Sequence, residues 1–138
     1  MAKIFSLSEA GSIAIHGMVL IARSEDQVSV NDISEKTGSS RHHVAKVMQR
    51  LVKEDFLHSL RGPSGGFKLK KPADSISLLE IYESIEGKIE ITDCPMNNQI
   101  CPFNKCIFGG VLNSMSQTLR DYLQNQKLAD YIPEPPAA

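Results

Sequence analysis

The sequence predicts a mainly α-helical fold: a winged helix-turn-helix domain with a small β-hairpin wing and a long C-terminal dimerisation helix. Three observations carry this. Residues 28–54 hold two short amphipathic stretches split by Thr37-Gly38-Ser39, the layout of a helix-turn-helix. Two strand-like runs, Leu57–Leu60 and Phe67–Leu69, flank the string Arg61-Gly62-Pro63-Ser64-Gly65-Gly66, and glycines with proline between β-type runs make a hairpin. From Phe108 onward, Phe108, Leu112, Met115, Leu119 and Tyr122 recur at spacings 4, 3, 4 and 3, a coiled-coil seam.

The elements follow in order. Ser8 and Glu9 offer a helix start before AIHGMVLIA (Ala14 to Ala22), which is apolar nearly all round; such a helix is buried in a core or between subunits. His16 within it reads first as a hydrogen-bonded core histidine. Val30 and Ile33 share one face of the next helix, with Ser29 or Asn31 as cap and Gly38 for the turn after it. Ser39 or Ser40 then caps a helix whose apolar positions are Val44, Val47, Met48 and Leu51, leaving Arg41, His42, Ala45, Lys46 and Gln49 outward. Charged outward faces are usually just solvated; two histidines beside an arginine at a helix start favour DNA reading here. After Pro72, Leu78, Ile81, Tyr82 and Ile85 share a helix face that Gly87 can terminate. The C-terminal seam could face an ordinary core, but a small winged helix leaves little core for it, so pairing with a second copy is expected. The organisation read from this is a winged helix-turn-helix over 1–75, a linking helix and cysteine loop over 76–106, a dimerisation helix over 107–132 and a flexible tail over 133–138.

With 138 residues, 41% hydrophobic and 22% charged, the chain is globular rather than disordered. Its net charge of −1, taken alone, argues against a polyanionic partner. The distribution reverses that. Residues 36–71 hold nine Lys or Arg against two acids, a local +7, while the rest holds six bases against fourteen acids. The basic segment coincides with the helix-turn-helix and wing, where a duplex would be met. Nothing approaches the roughly 18 consecutive apolar residues of a membrane span, and no basic-plus-apolar leader opens the sequence. The expectation is a cytoplasmic protein without a membrane partner. The glycine-rich string is not a P-loop, since no Gly-Lys-Ser/Thr opening a helix follows it.

Three cysteines, Cys94, Cys101 and Cys106, fall in one short stretch, each of the first two followed by proline. An odd, clustered set in a reducing compartment suggests a metal site more than a disulfide framework. Zinc remains open, although the short C-x2-C knuckle of structural zinc sites is absent. A thiol switch remains open too. No C-x-x-C motif and no nucleophile–base constellation supports an enzyme.

On these residues the chain resembles the bacterial family of winged-helix regulators that includes the iron–sulfur regulator IscR and the nitric-oxide-sensitive repressor NsrR. The resemblance covers roughly residues 4–132 and is carried by Val30-Asn31-Asp32-Ile33-Ser34, by Leu51 through Leu57, by the wing string Arg61 to Phe67, by the cysteine set, and by Leu128-Ala129-Asp130. It implies a homodimer with crossed C-terminal helices and DNA contacts from the recognition-helix start and the wing. The candidate DNA-contacting set is Ser40, Arg41, His42, His43, Lys46, Arg50, Arg61, Gly62, Ser64, Gly65 and Lys68. It further implies a 2Fe–2S or 4Fe–4S cluster held by Cys94, Cys101 and Cys106, thiolates being strong soft donors for iron. Some members add a histidine shortly after the third cysteine; Ile107-Phe108-Gly109 offers none. Others draw a ligand from the first helix of the partner subunit, for which the candidates are His16 and Glu9.

The expected protein is thus a homodimeric regulator of a pseudo-palindromic double-stranded DNA site, sensing redox, iron–sulfur status or nitric oxide through its cluster. The alternative is a winged-helix regulator without a cluster, controlled by a thiol switch or a protein partner.

Overall fold

The structure, a computed structural model, describes residues 6–62, 65–91 and 102–133. Helix α1 (Glu9–Arg23) starts where Ser8 accepts a hydrogen bond from the Gly11 amide at 3.0 Å. It buries Ile13, Ala14, Met18 and Ile21 against the helices that follow. His16 lies on the opposite, exposed side. The expectation of a core histidine is therefore corrected: the apolar run is long enough to wrap the helix, but only one side of it is covered within the chain.

Helix α2 (Val30–Thr37) is capped by Ser29, with Asp32 completing a reciprocal capping box. Gly38 closes it in the left-handed region at φ 73°, which a side chain would resist. Helix α3 (Arg41–Lys53) starts at the Ser40 cap and buries Val44, Val47, Met48 and Leu51, all four of the positions expected from spacing. Strands β1 (Leu57–Leu60) and β2 (Gly66–Leu69) pair antiparallel, with Leu57 opposite Leu69 and His58 opposite Lys68. Val28 adds a third, single-residue rung, exchanging hydrogen bonds with Phe67 at 3.1 and 2.8 Å. That rung explains Gly66: a Cβ there would sit 2.6 Å from the Val28 carbonyl oxygen.

Helix α4 (Leu78–Glu86) opens on a second capping box, Ser77 with Glu80, and buries Leu78, Leu79 and Ile81. Leu79 was not foreseen, because the same-face rule ignored a second neighbour. Helix α5 (Val111–Asn125) begins after Phe108, whose carbonyl accepts from the Val111 amide at 3.1 Å. The first member of the seam is thus in the preceding turn, and the remainder are helical. Of α5, only Leu123 is buried; Leu112, Met115 and Leu119 are half-buried and Tyr122 exposed. A 3-10 turn, Leu128–Tyr131, then tucks Leu128 fully into the core. The Leu78 amide donates to the Gln126 carbonyl and the Leu128 amide to the Ile76 carbonyl, at 2.9 and 3.0 Å. The fold is mainly helical with one hairpin, as the sequence predicts. Among the described residues no helix is long and apolar enough to cross a membrane. The tail beyond residue 133 lies outside the described residues.

Candidate nucleic-acid interface

The turn between α2 and α3 is tightly bonded. Ser34 Oγ donates to the Ser39 carbonyl at 2.6 Å and Thr37 Oγ1 to the Ile33 carbonyl at 2.7 Å. Ser40 Oγ accepts from the His43 amide at 3.2 Å, fixing the first turn of α3. With its apolar side buried, α3 turns His42, Lys46, Gln49, Arg50 and Lys53 outward, around a shallow groove of about 510 Å³. Arg50 leans on Glu54 one turn later, Nε to Oε1 3.4 Å.

Besides the capping Ser40, three of the expected contact residues have side-chain partners in the fold. Arg41 reaches Asn31 Oδ1 on α2 at 3.5 Å. His43 is half-buried, its Nδ1 3.3 Å from Glu9 Oε1 on α1. Arg50 has Glu54. His42, Lys46, Arg61, Gly62 and Lys68 are exposed, Gly65 is half-buried, and Ser64 lies outside the described residues. A second concavity of about 350 Å³ separates the start of α2 from the wing, between Asn31 on one side and Leu60 and Gly62 on the other.

The electrostatics sort the wing lysines. Lys70 Nζ lies 2.9 Å from Asp55 Oδ1 and holds that carboxyl below its ordinary range. Lys71 sits 4.9 Å over the Phe56 ring. Both brace the base of the hairpin, leaving Lys68 as the outward wing lysine beside the exposed Arg61. Asp32 is held low by hydrogen bonds from the Ser29 amide and hydroxyl. Sequence reasoning missed these ties and the Glu9–His43 pair, because spacing along a helix says nothing of what the next helix brings opposite.

The candidate cluster ligands divide in the same way. Cys94 and Cys101 lie outside the described residues, while Cys106 is exposed in the turn that leads into α5. Among the described residues no three His, Cys, Asp or Glu side chains converge as a metal site. Glu9, Ser12 and His16 line one side of an open groove of about 670 Å³ along α1, floored by Ile15, Val19 and Leu20. His16 Nδ1 is 2.7 Å from the Ser12 carbonyl, which can only accept. A neutral ring in that contact carries its proton on Nδ1 and its lone pair on Nε2. Tyr131 borders the same groove; a hydrogen bond with Tyr122, then burial, pushes its hydroxyl up to about 12.

A helix-turn-helix with a cationic outward face, followed by a basic hairpin, defines a winged-helix DNA-binding protein. Comparison with known proteins narrows the class. The profile of the Rrf2 family, described as an iron-dependent transcriptional regulator, matches residues 7–134, and the chain belongs to that family. Its members here are transcriptional regulators, not enzymes. The HTH-type transcriptional regulator IscR of Klebsiella pneumoniae (strain 342) is 28% identical over 128 residues, covering 91% of this chain and 78% of that protein. IscR of Escherichia coli O9:H4 (strain HS) is likewise 28% identical, with 91% and 79% covered. Among solved structures, CymR, the global cysteine regulator of B. subtilis, superposes with a TM-score of 0.72 at 19% identity, over 92% of this chain and 95% of that one. T. potens IscR gives 0.68 at 21% identity, over 92% and 85%. At such identities the structures establish the shared fold.

Proposed function

We propose that two copies of this chain form a regulator that binds a pseudo-palindromic duplex site and whose DNA affinity is set by an iron–sulfur cluster. The first turn of α3 meets base edges in the major groove. Lys46, Arg50 and Lys68 meet phosphates and fix register, and Arg61 works in a minor groove. Cys94, Cys101 and Cys106 would hold the cluster, 2Fe–2S or 4Fe–4S, with His16 of the partner subunit as the fourth donor. His16 is favoured over Glu9 because its Nδ1 is engaged by the Ser12 carbonyl, leaving Nε2 as the donor atom of an exposed ring, whereas the Glu9 carboxylate is paired with His43. When bound, the cluster supplies chemistry sensitive to oxidation state and to small exogenous ligands.

One observation carries the reading. The exposed Cys106 turn runs directly into a helix whose apolar stripe is left half-covered, so whatever orders the cysteine loop also sets how α5 is presented to a second copy. A change there alters the spacing and tilt of the two reading heads, and holo and apo forms must then differ in DNA affinity.

The test is anaerobic expression followed by visible spectroscopy, iron and sulfide analysis, and operator binding with and without the cluster. Coloured protein containing iron and sulfide, with operator affinity that changes on cluster loss, is expected. Colourless protein whose DNA binding is unchanged by Cys94→Ala overturns the cluster and leaves the metal-independent regulator.

A further inference from the structure

We propose that Glu9 is a positioning residue for DNA reading, acting through His43, and that base discrimination at the start of α3 rests with His42. The proposal deepens the reading of α3 as the major-groove helix and rests on it. Its basis is a juxtaposition of two helix starts. Glu9, in the first turn of α1, places Oε1 3.3 Å from Nδ1 of His43, in the first turn of α3. The same His43 has its backbone amide bound by Ser40 Oγ. Main chain and side chain of one residue are thus fixed from different elements.

Helix geometry explains why His43 does not share the role of its neighbour. Successive residues on a helix point about 100° apart, so adjacent positions do not face the same way. The outward groove is lined by His42, Lys46, Gln49, Arg50 and Lys53, a set one helical turn apart, and His43 is not among them. Its ring instead faces Glu9 of α1 and is 35% exposed. On the other flank, Arg41 reaches Asn31 of α2. The reading turn is therefore held to α1 by Glu9 and to α2 by Asn31, with His42 projecting between the two ties.

Such a clamp acts on the specific complex in particular. Non-specific binding is dominated by phosphate contacts, which tolerate rotation of the helix about its own axis. Base-edge contacts do not. Loss of the Glu9–His43 tie should therefore lower the ratio of operator to random-sequence affinity. Removal of the negative charge alone would raise both affinities together and leave the ratio unchanged.

The experiment measures that ratio by fluorescence anisotropy, using an operator selected by the wild-type protein from random duplexes. Glu9→Ala and His43→Ala should each lower the ratio by about two- to fivefold, the range of an exposed ion pair, with unchanged base preference. The double variant should lose no more than either single one. His43→Gln, which keeps an N–H donor for Glu9, should restore most of the ratio. His42→Ala should alter preference at individual base pairs and add to Glu9→Ala. Additive losses for Glu9 and His43, a base preference changed by His43→Ala, or a ratio unmoved by Glu9→Ala overturns the proposal. Selection of no preferred sequence by the wild type overturns the DNA reading itself, and the proposal with it. That outcome is distinct from a clear wild-type preference that Glu9→Ala leaves intact.

Discussion

The DNA-reading head and the C-terminal arm are built on opposite terms. In the head, α1 to α4 close around Met18, Ile33, Met48, Leu51 and Ile81, and helices start on satisfied serine caps. In the arm, Ile107 is 72% exposed, Phe103 58% and Tyr122 55%, and only Leu123 of α5 is buried. The head encloses a core of its own within one chain, with only one side of α1 left uncovered. The arm carries more apolar surface than one chain covers, and such surface is normally the mark of an interaction site.

That contrast can be broken or sharpened by measurement. The largest effect is expected from Leu51→Ala, which empties a fully buried site in the head and should cost about 2–5 kcal/mol in denaturant unfolding. Met115→Ala in the arm should cost dilute protein far less and weaken self-association instead, read by sedimentation across a concentration series. Equal losses in unfolding would show that the arm belongs to the head's core. Next comes Ser77→Ala, which removes the cap of α4 at its contact with the arm; about 1 kcal/mol is expected. The smallest effect is acid sensitivity in the head. Asp32 has its carboxyl held below the ordinary 3.8, so its contribution is present above that pH and is lost as pH falls through the lowered folded value. The stability gap between wild type and Asp32→Asn should therefore narrow below pH 3.8 and vanish in stronger acid.

Much of the head was legible in the sequence because its determinants are local. Cap serines, the glycine turn and the spacing of Val44, Val47, Met48 and Leu51 each encode structure within a few residues. What escaped was non-local. Nothing near Val28 announces its bond to Phe67, nor does the stretch around Glu9 announce His43. Leu128 lies in an unpatterned stretch yet is fully buried, because the Ser77–Lys127 bridge folds it back against Ile76. His16 was misplaced for a related reason: an all-round apolar helix does not say which side another subunit would cover. Of the candidate cluster ligands, Cys106 is placed, while Cys94 and Cys101 lie outside the described residues.

The bridge between Ser77 and Lys127 has a mechanical consequence. It moors the C-terminal end of α5 to the head through the Leu78–Gln126 and Leu128–Ile76 hydrogen bonds, while the far end of the helix, near Val111, sits beside the cysteine turn. The helix thus has the geometry of a lever, anchored on the head at one end and reaching the Cys106 turn at the other. Fifteen residues make an arm of about 22 Å, so a push of roughly 4 Å at the handle corresponds to a swing of about 10° at the pivot. On the proposed reading, a change at the cysteine turn would reach the head as a rotation rather than a shift.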